Sequence, residues 1–593
     1  MPRVTRHRRV TRQKIVRTGG ASDTVRRQTG ITLLTLATFA VVFSTLEIIS
    51  YTRTSATWEE PIHLATGYAA LMHHDYRVDP EHPPFLRMWA ALPLFATGGV
   101  VSDTSALDRT EPNVWGLTTL FGYSHRFLYT DNDADRLLYA GRFMIVMLGV
   151  LTGVLIFFFV REWVGFGAAA VALVFYTIEP NLAAHGTLVT TDLGLTCFLF
   201  GTVHFLWRTS RQVTVANVAG LVSCFVLAVV SKFTAIILGP IIVLLLACSM
   251  AWGRMTFRTA SALIVLLVGS AYAGIWAIYG FDYAPSDSAS WLYHYHTNRV
   301  VVQRVPLLAT IVGWIDTHHL LPNVFSQGFL LGQAKAQARS AFLAGQFSNT
   351  GWWYYFPVAF MIKTPITAII LSSAGALMCL RRKSVEPQRA AFVLVPVVVY
   401  MAVAMTSHIN IGLRHILPVY PFMIVLAAVA VRPLVASPRH LGRMLVGVLT
   451  LVWTLEFANA YPSTLAFFNQ IIGGPSQGYR YLTDSNLDWG QDLKGLKAWM
   501  DRTQVSHINL AYFGSADPGY YGINFTYLAP APFFAPADSV GAARLPGYVA
   551  VSATVLSGVY GDRSGFYDSF ANREPVARIG HSILVYWVQE RWW

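Results

Sequence analysis

TWEEPIHLATGYAALMHHDYRVDPEHPP, residues 57–84, follows directly on the first long apolar run of the chain. Acidic and histidine side chains at a membrane boundary are costly to desolvate, so they mark a reaction or transport site. Residues 61–73 and 84–95 carry apolar side chains at helical spacing, which predicts two short helices lying in the interface. The stretch therefore places a membrane-spanning helix before it and chemistry just outside that helix.

The composition agrees. The chain has 593 residues, 54% of them hydrophobic and 13% charged, with a mean hydropathy of +0.45, far more apolar than a soluble globular protein of this length. The net charge of +13 could suggest a nucleic-acid binder. Much of it, however, lies in the first 27 residues and in short loops between apolar runs, as the positive-inside rule requires. No nucleic-acid partner is expected. The basic leader lacks a small-residue cleavage site behind the first apolar run and reads as a cytoplasmic tail with a retained first helix. Cys197, Cys224, Cys248 and Cys379 all fall in apolar runs and read as inert core residues.

Apolar windows occur at 31–50, 139–160, 165–179, 190–207, 214–231, 233–251, 259–279, 356–379, 391–407, 412–431 and 444–460, about eleven spans at roughly 20 residues per crossing. With the basic tail inside, alternate connections hold Arg161; Arg208 and Arg211; Arg254 and Arg258; Arg381, Arg382, Lys383 and Arg389; and Arg432, Arg439 and Arg443. All of these fall on the cytoplasmic side. The exoplasmic side then receives 51–138, 180–190, the turn at Ser231 and Lys232, 280–355, 408–415 and 461–593. The last segment changes character: HINLAYFG, GYVAVSA and SILVYWV alternate and are separated by turn residues, which predicts strands, with a helix over 493–500. Three regions result: a basic cytoplasmic tail over 1–29, a helical membrane domain over 30–460 and a small exoplasmic α/β domain over 461–593.

Glu59 and Glu60 open the first interfacial helix, where the helix dipole favours carboxylates. An ordinary acidic helix start is one reading; a general base or cation ligand at the bilayer surface is the other. His63 lies four residues on, on the same face, and no tight His/Cys cluster supports zinc. Asp192 sits just inside the fourth span, where a carboxylate is functional by default. Cations recur at the same depth: Arg142, Lys232, Lys363 and Arg414 with His415. Each alone could be a snorkelling anchor, but four on one face are better explained by a phosphate or pyrophosphate drawn to the membrane surface. Walker and strand-linked glycine motifs are lacking, so no nucleotide cofactor is expected.

All of these residues but Arg142 stand in motifs that resemble the membrane-embedded glycosyltransferases of the GT-C class, family 39 and its relatives, which include protein O-mannosyltransferases and the aminoarabinose transferase of lipid A. The motifs are EEPIHLATGY, DYRVDPEHPPF, AHGTLVTTDLG, SKFTA, GWWYYFPVAFMIKTP, GLRHILPVYP, YLTDSNLDWGQDLKGLKAW and YFGSADPGYYGI. They span almost the whole chain beyond the basic tail and look most like the bacterial phospholipid-carrier-dependent branch. The resemblance implies a GT-C-like polytopic helical fold in a cell membrane, multi-pass, with an inverting transfer of a hexose or pentose. It also implies a polyprenyl-phosphate sugar donor and a protein, glycan or glycolipid acceptor at the exoplasmic face.

The family's first-loop acidic pair is usually Asp then Glu, with the first as base or orienting residue. Here Glu59 stands in the Asp position and Asp192 matches the second acid. Glu59, Glu60 and Asp192 are thus the expected catalytic set, and a divalent cation, if one is used, would fall to the same three. Arg142, Lys232, Lys363, Arg414 and His415 are expected around the donor phosphate, with His63, His82 and His185 in support. The NLDWGQDL run is expected either to bind acceptor or ion or to tie the tail to the membrane core. A multi-span transporter or flippase is the alternative, as are a polymerase of oligosaccharides and a glycolipid receptor.

Overall fold

The computed structural model describes residues 19–105, 107, 117–287, 291–381, 386–437, 440–530, 539–560, 566–571 and 573–592; most of the basic tail lies outside them. Seven of the described helices are long and apolar enough to cross a membrane, and two bent helix pairs bring the total to nine. The expected window over 190–207 is the helix Asp192–Arg211, and the window over 214–231 is Val215–Val229. Neither qualifies as a span by itself. The first is long enough but too polar, which its almost complete burial by other helices explains. The second has 15 residues, short of the roughly 20 that a bilayer requires.

Ala134–Trp163 and Leu413–Ala436 are largely enclosed by other helices, whereas Arg26–Tyr51, Phe257–Ile278 and His440–Ala460 show mostly exposed apolar faces. In a bilayer those faces meet lipid, so exposure costs them nothing. Both bent pairs break at a proline. Phe166–Thr177 and Pro180–Gly186 meet at 66°, and Tyr355–Lys363 and Ile366–Leu380 at 117°. Thr364, preceding Pro365, is extended, as the ring of the next residue demands. The carbonyls this break frees do not go unpaired: the Asn469 side-chain amide donates to Met361 and Thr364, at 2.7 and 2.8 Å, and its backbone N–H to Ile362 at 2.9 Å. Non-helical backbone at membrane depth is tolerated when protein satisfies it in this way.

The first loop forms the two expected helices, Glu60–His73 and Phe85–Thr97. They touch backbone to backbone at Gly67, where a Cβ would lie 2.1 Å from the Arg87 carbonyl oxygen. The 280–355 segment holds Arg299–Arg304, Pro306–Thr317 and Asn323–Lys335 and a hairpin of β1 (Ala341–Leu343) and β2 (Gln346–Ser348). The three predicted tail strands are β3 (Ile508–Ala511), β5 (Gly547–Ser552) and β7 (Ile583–Val588), joined by β4 (Phe525–Tyr527) and β6 (Ala577–Ile579). The sheet order is β4-β3-β5-β7-β6. β3 runs parallel to both its neighbours, and β7 runs antiparallel to both of its own. The expected helix is Leu493–Thr503. The cysteines are free, with Cys197 and Cys379 buried.

Candidate active site

Four expected residues from four separate segments meet where the helical bundle abuts the tail. Glu59 precedes the first-loop helix, Asp192 begins the helix Asp192–Arg211, Lys232 sits in the turn after Val215–Val229, and Arg414 opens Leu413–Ala436. Arg414 grips Glu59 with both terminal nitrogens, each at 2.7 Å from a carboxylate oxygen. Its Nη1 also lies 3.3 Å from Asp192 Oδ2, while Lys232 Nζ lies 2.5 Å from Asp192 Oδ1. The result is an alternating chain Glu59, Arg414, Asp192, Lys232. Asp192 gains further from its place at a helix N-terminus. Only Glu59 retains appreciable exposure, 21% of its side chain.

Burial alone would raise the Glu59 carboxyl, but the Arg414 guanidinium and His63 outweigh it and hold the group well below the usual carboxylate range. His63 is enclosed between two acids, its Nε2 3.6 Å from Glu59 and its Nδ1 3.7 Å from Asp79. Neither ring nitrogen has a hydrogen-bond partner. Burial lowers the imidazole below its ordinary value, against the pull of Glu59 and Asp79. Asp79 also meets His82 at 3.7 Å and Arg87 at 3.1 Å. Burial would raise the Asp79 carboxyl, but Arg87 and His82 bring it below the usual range. His185 and His415 are enclosed nearby in sequence to Asp192 and Arg414, each with one buried ring nitrogen unpartnered.

Three expected residues take other roles. Glu60 and Arg142 form a fully buried pair, Nε to Oε1 at 2.8 Å and Nη2 to Oε2 at 2.6 Å. Arg142 donates further to the carbonyls of Tyr51 and Ser55, and Glu60 accepts from the backbone N–H of Thr57 and Val189. Expected as a catalytic acid and a phosphate ligand, the two instead neutralise each other. They fasten the first loop to the segment that leads into Asp192, and so set Glu59 and Asp192 in register. Lys363, also expected at a phosphate, spends its ammonium protons on the carbonyls of Leu465, Phe467 and Asn486 and lies over the Phe468 ring. It latches the tail to the broken span.

The tail adds individual side chains that the sequence did not single out. Ser485 Oγ accepts from Arg414 Nε at 3.2 Å, and the Trp489 ring lies 4.3 Å beneath the guanidinium. Both sit in the TDSNLDWGQD run, which thereby serves as tether and as one wall of the site. Trp58, next to Glu59, stacks on Phe513 at 4.6 Å, and Phe513 stacks on Tyr560 at 5.5 Å. Asp79 stood in a quoted motif and Arg87 two residues beyond it, and neither gave a signal of its own. Each of the three acids expected to share a divalent cation has a cation of the chain beside it: Arg414 for Glu59, Arg142 for Glu60, Lys232 for Asp192.

The sequence model of the family described as dolichyl-phosphate-mannose-protein mannosyltransferase matches residues 135–276. That segment includes Asp192 and Lys232, but not Glu59 or Arg414. No curated protein matches the chain in sequence. Among solved structures, the chain is similar to ArnT from Cupriavidus metallidurans bound to undecaprenyl phosphate, with 13% identity over 94% of this chain and 98% of that one, TM-score 0.45. It is also similar to the Archaeoglobus fulgidus oligosaccharyltransferase in its apo form, with 13% identity over 73% of this chain and 55% of that one, TM-score 0.47. The oligosaccharyltransferase AglB from the same organism, in complex with an inhibitory peptide and a dolichol-phosphate, gives 13% identity, 73% and 56% coverage and a TM-score of 0.43. The family match thus covers residues 135–276, less than half of the chain, and is a likeness of that segment to the mannosyltransferase family.

Proposed function

We propose that the protein transfers a hexose or pentose from a polyprenyl-phosphate donor to a protein, glycan or glycolipid acceptor at the exoplasmic face of a cell membrane. The observation that carries this reading is Arg414 held between Glu59 and Asp192 with Lys232 alongside. A carboxylate gripped by a guanidinium is a weak base. An incoming phosphate would compete for the same guanidinium through charge-assisted bonds, so donor binding would draw Arg414 away and free Glu59 to take a proton.

The reaction then balances as follows. The acceptor hydroxyl oxygen attacks the anomeric carbon, its proton passes to Glu59, and the bond from that carbon to the phosphate oxygen breaks with inversion. The electron pair leaves on the polyprenyl phosphate, whose new charge faces Arg414 and Lys232. The stacked rings Trp58, Phe513 and Tyr560 beside Glu59 suit the face of a sugar or an acceptor side chain.

Glu59→Gln tests the reading. It keeps the shape, removes the proton-accepting charge and releases Arg414 from an ionic partner. Transfer should fall by about 100-fold or more, while polyprenyl phosphate should bind as tightly as to the parent or more tightly. Unchanged transfer would remove Glu59 as the base. Weaker phosphate binding would refute the competition for Arg414, and a chain that moves lipid-linked sugar across vesicles without transferring it would be a flippase.

A further inference from the structure

Among the described residues, one set of three histidine and carboxylate side chains brings all its ligand atoms within 4.8 Å of one another: His294, His296 and Asp316. We propose that these three bind one divalent transition-metal ion of the zinc class, independently of the sugar-transfer site, and clip the 280–355 segment together. Two imidazoles and a single carboxylate suit zinc, which takes N and O ligands and closes a tetrahedron with water. Calcium and magnesium prefer all-oxygen sites.

The site is built rather than merely crowded. His294 and His296 flank one residue in a short turn, and Asp316 lies in the last turn of Pro306–Thr317. One further helix, Asn323–Lys335, orients the ligands from residues one turn apart. Asn323 Nδ2 donates to Asp316 Oδ1 at 2.9 Å, and the same amide clasps the backbone of Tyr293, at 2.8 Å to its N–H and 3.0 Å to its carbonyl. Gln327 lies 2.7 Å from His296 Nδ1, which leaves Nε2 as the ligand atom. His296 packs so closely that a Cβ on Gly313 would meet its ring at 3.0 Å. Such outer partners are what hold metal ligands in place. Asp316 is buried, His296 half-buried and His294 exposed, so the exposed ring can swing in to close the shell and the ion has a way in from solvent.

Metal on Nε2 requires the remaining ring proton on Nδ1, facing Gln327. In the structure Gln327 presents its amide nitrogen there and its oxygen to the His296 backbone N–H at 3.2 Å. A half-turn of the amide supplies the needed acceptor at the loss of that longer bond. The clip would bear on the first loop too: the Tyr293 hydroxyl donates to the Arg77 carbonyl, and the Tyr76 N–H donates to the Pro285 carbonyl, beside the stretch that carries Asp79 and His82.

The test uses the full-length protein in detergent, stripped with a chelator and titrated with Zn²⁺ by calorimetry and with Co²⁺ by visible absorption. One saturable equivalent and a tetrahedral Co²⁺ spectrum are expected. Zinc should raise the melting temperature of the parent and not of His294→Ala, a change at an exposed residue that leaves the fold intact. Loss of a ligand in His294→Ala or Asp316→Asn should weaken binding beyond the roughly 10–100-fold that outer partners are worth, and Gln327→Glu should tighten it. No saturable uptake by the parent, or uptake that survives in His294→Ala and Asp316→Asn alike, would overturn the proposal.

Discussion

Asp488 is fully buried, its Oδ2 accepting from the Thr554 backbone N–H at 2.8 Å. Burial pushes its carboxyl up to about 8 from an ordinary 3.8, and that of Asp492 up to about 6. A carboxyl raised in the folded state adds stability that is complete below its unfolded value and is lost as pH rises through the folded one. Docking of the tail should therefore weaken between pH 4 and pH 8, by up to about 1.4 kcal/mol per pH unit for each of the two carboxyls. Asp488→Asn keeps an acceptor for Thr554 and has no charge to desolvate, so its melting temperature should depend less on pH; an unchanged profile would locate the dependence elsewhere. Sequence could not reveal such a group, because nothing in LDWGQD says which acid faces solvent. The same limit governs the candidate site. Glu59, Asp192, Lys232 and Arg414 were legible because their charges lie in or beside apolar runs. Arg142 and Lys363 have the same signature, but the groups that satisfy them, Glu60 for the first and a row of tail carbonyls for the second, lie far away in sequence.

At the scale of elements, the apolar spacing of residues 61–73 and 84–95 and the three apolar tail runs bounded by turn residues were readable, although Glu60–Ala70 and β3 turn out to be buried on every side. The bent spans were less so: hydropathy averages over the break at Thr364 and Pro365, and only the partner residue makes it tolerable. Asn469, far along the chain, is that partner. Asn469→Ala strips the Met361 and Thr364 carbonyls of their side-chain donor, and an unsatisfied buried group costs about 1–3 kcal/mol. The junction of tail and broken span should loosen, read as a lower melting temperature and faster proteolysis near residues 461–475. Asn469→Asp keeps the size but replaces the donor with an acceptor facing two carbonyl oxygens, and should be worse than Ala. If both variants melted like the parent, the amide would not be what stabilises the break.

The whole molecule is held together by contacts that cross between its regions. Lys363 binds tail carbonyls, Arg414 lies against Ser485 and Trp489, and the backbone N–H of Ser55 and Trp58 donate to Gln491 and Trp489. The first loop, the ends of four helices and the tail thus share one face of the bundle. The connections on the other face, at Arg161, Arg208, Arg211, Arg254 and Arg258, are basic. A chain inserting by the positive-inside rule would leave the basic face in the cytoplasm and present the site and tail outside. Asp501 is exposed in the tail helix Leu493–Thr503, and Gln212 is exposed between Asp192–Arg211 and Val215–Val229. In a background with the four buried or half-buried cysteines replaced, Asp501→Cys should react with a membrane-impermeant maleimide in intact cells. Gln212→Cys should react only after permeabilisation. The reverse pattern would put the tail, Glu59 and Arg414 in the cytoplasm, and a donor presented at the exoplasmic face could not reach them.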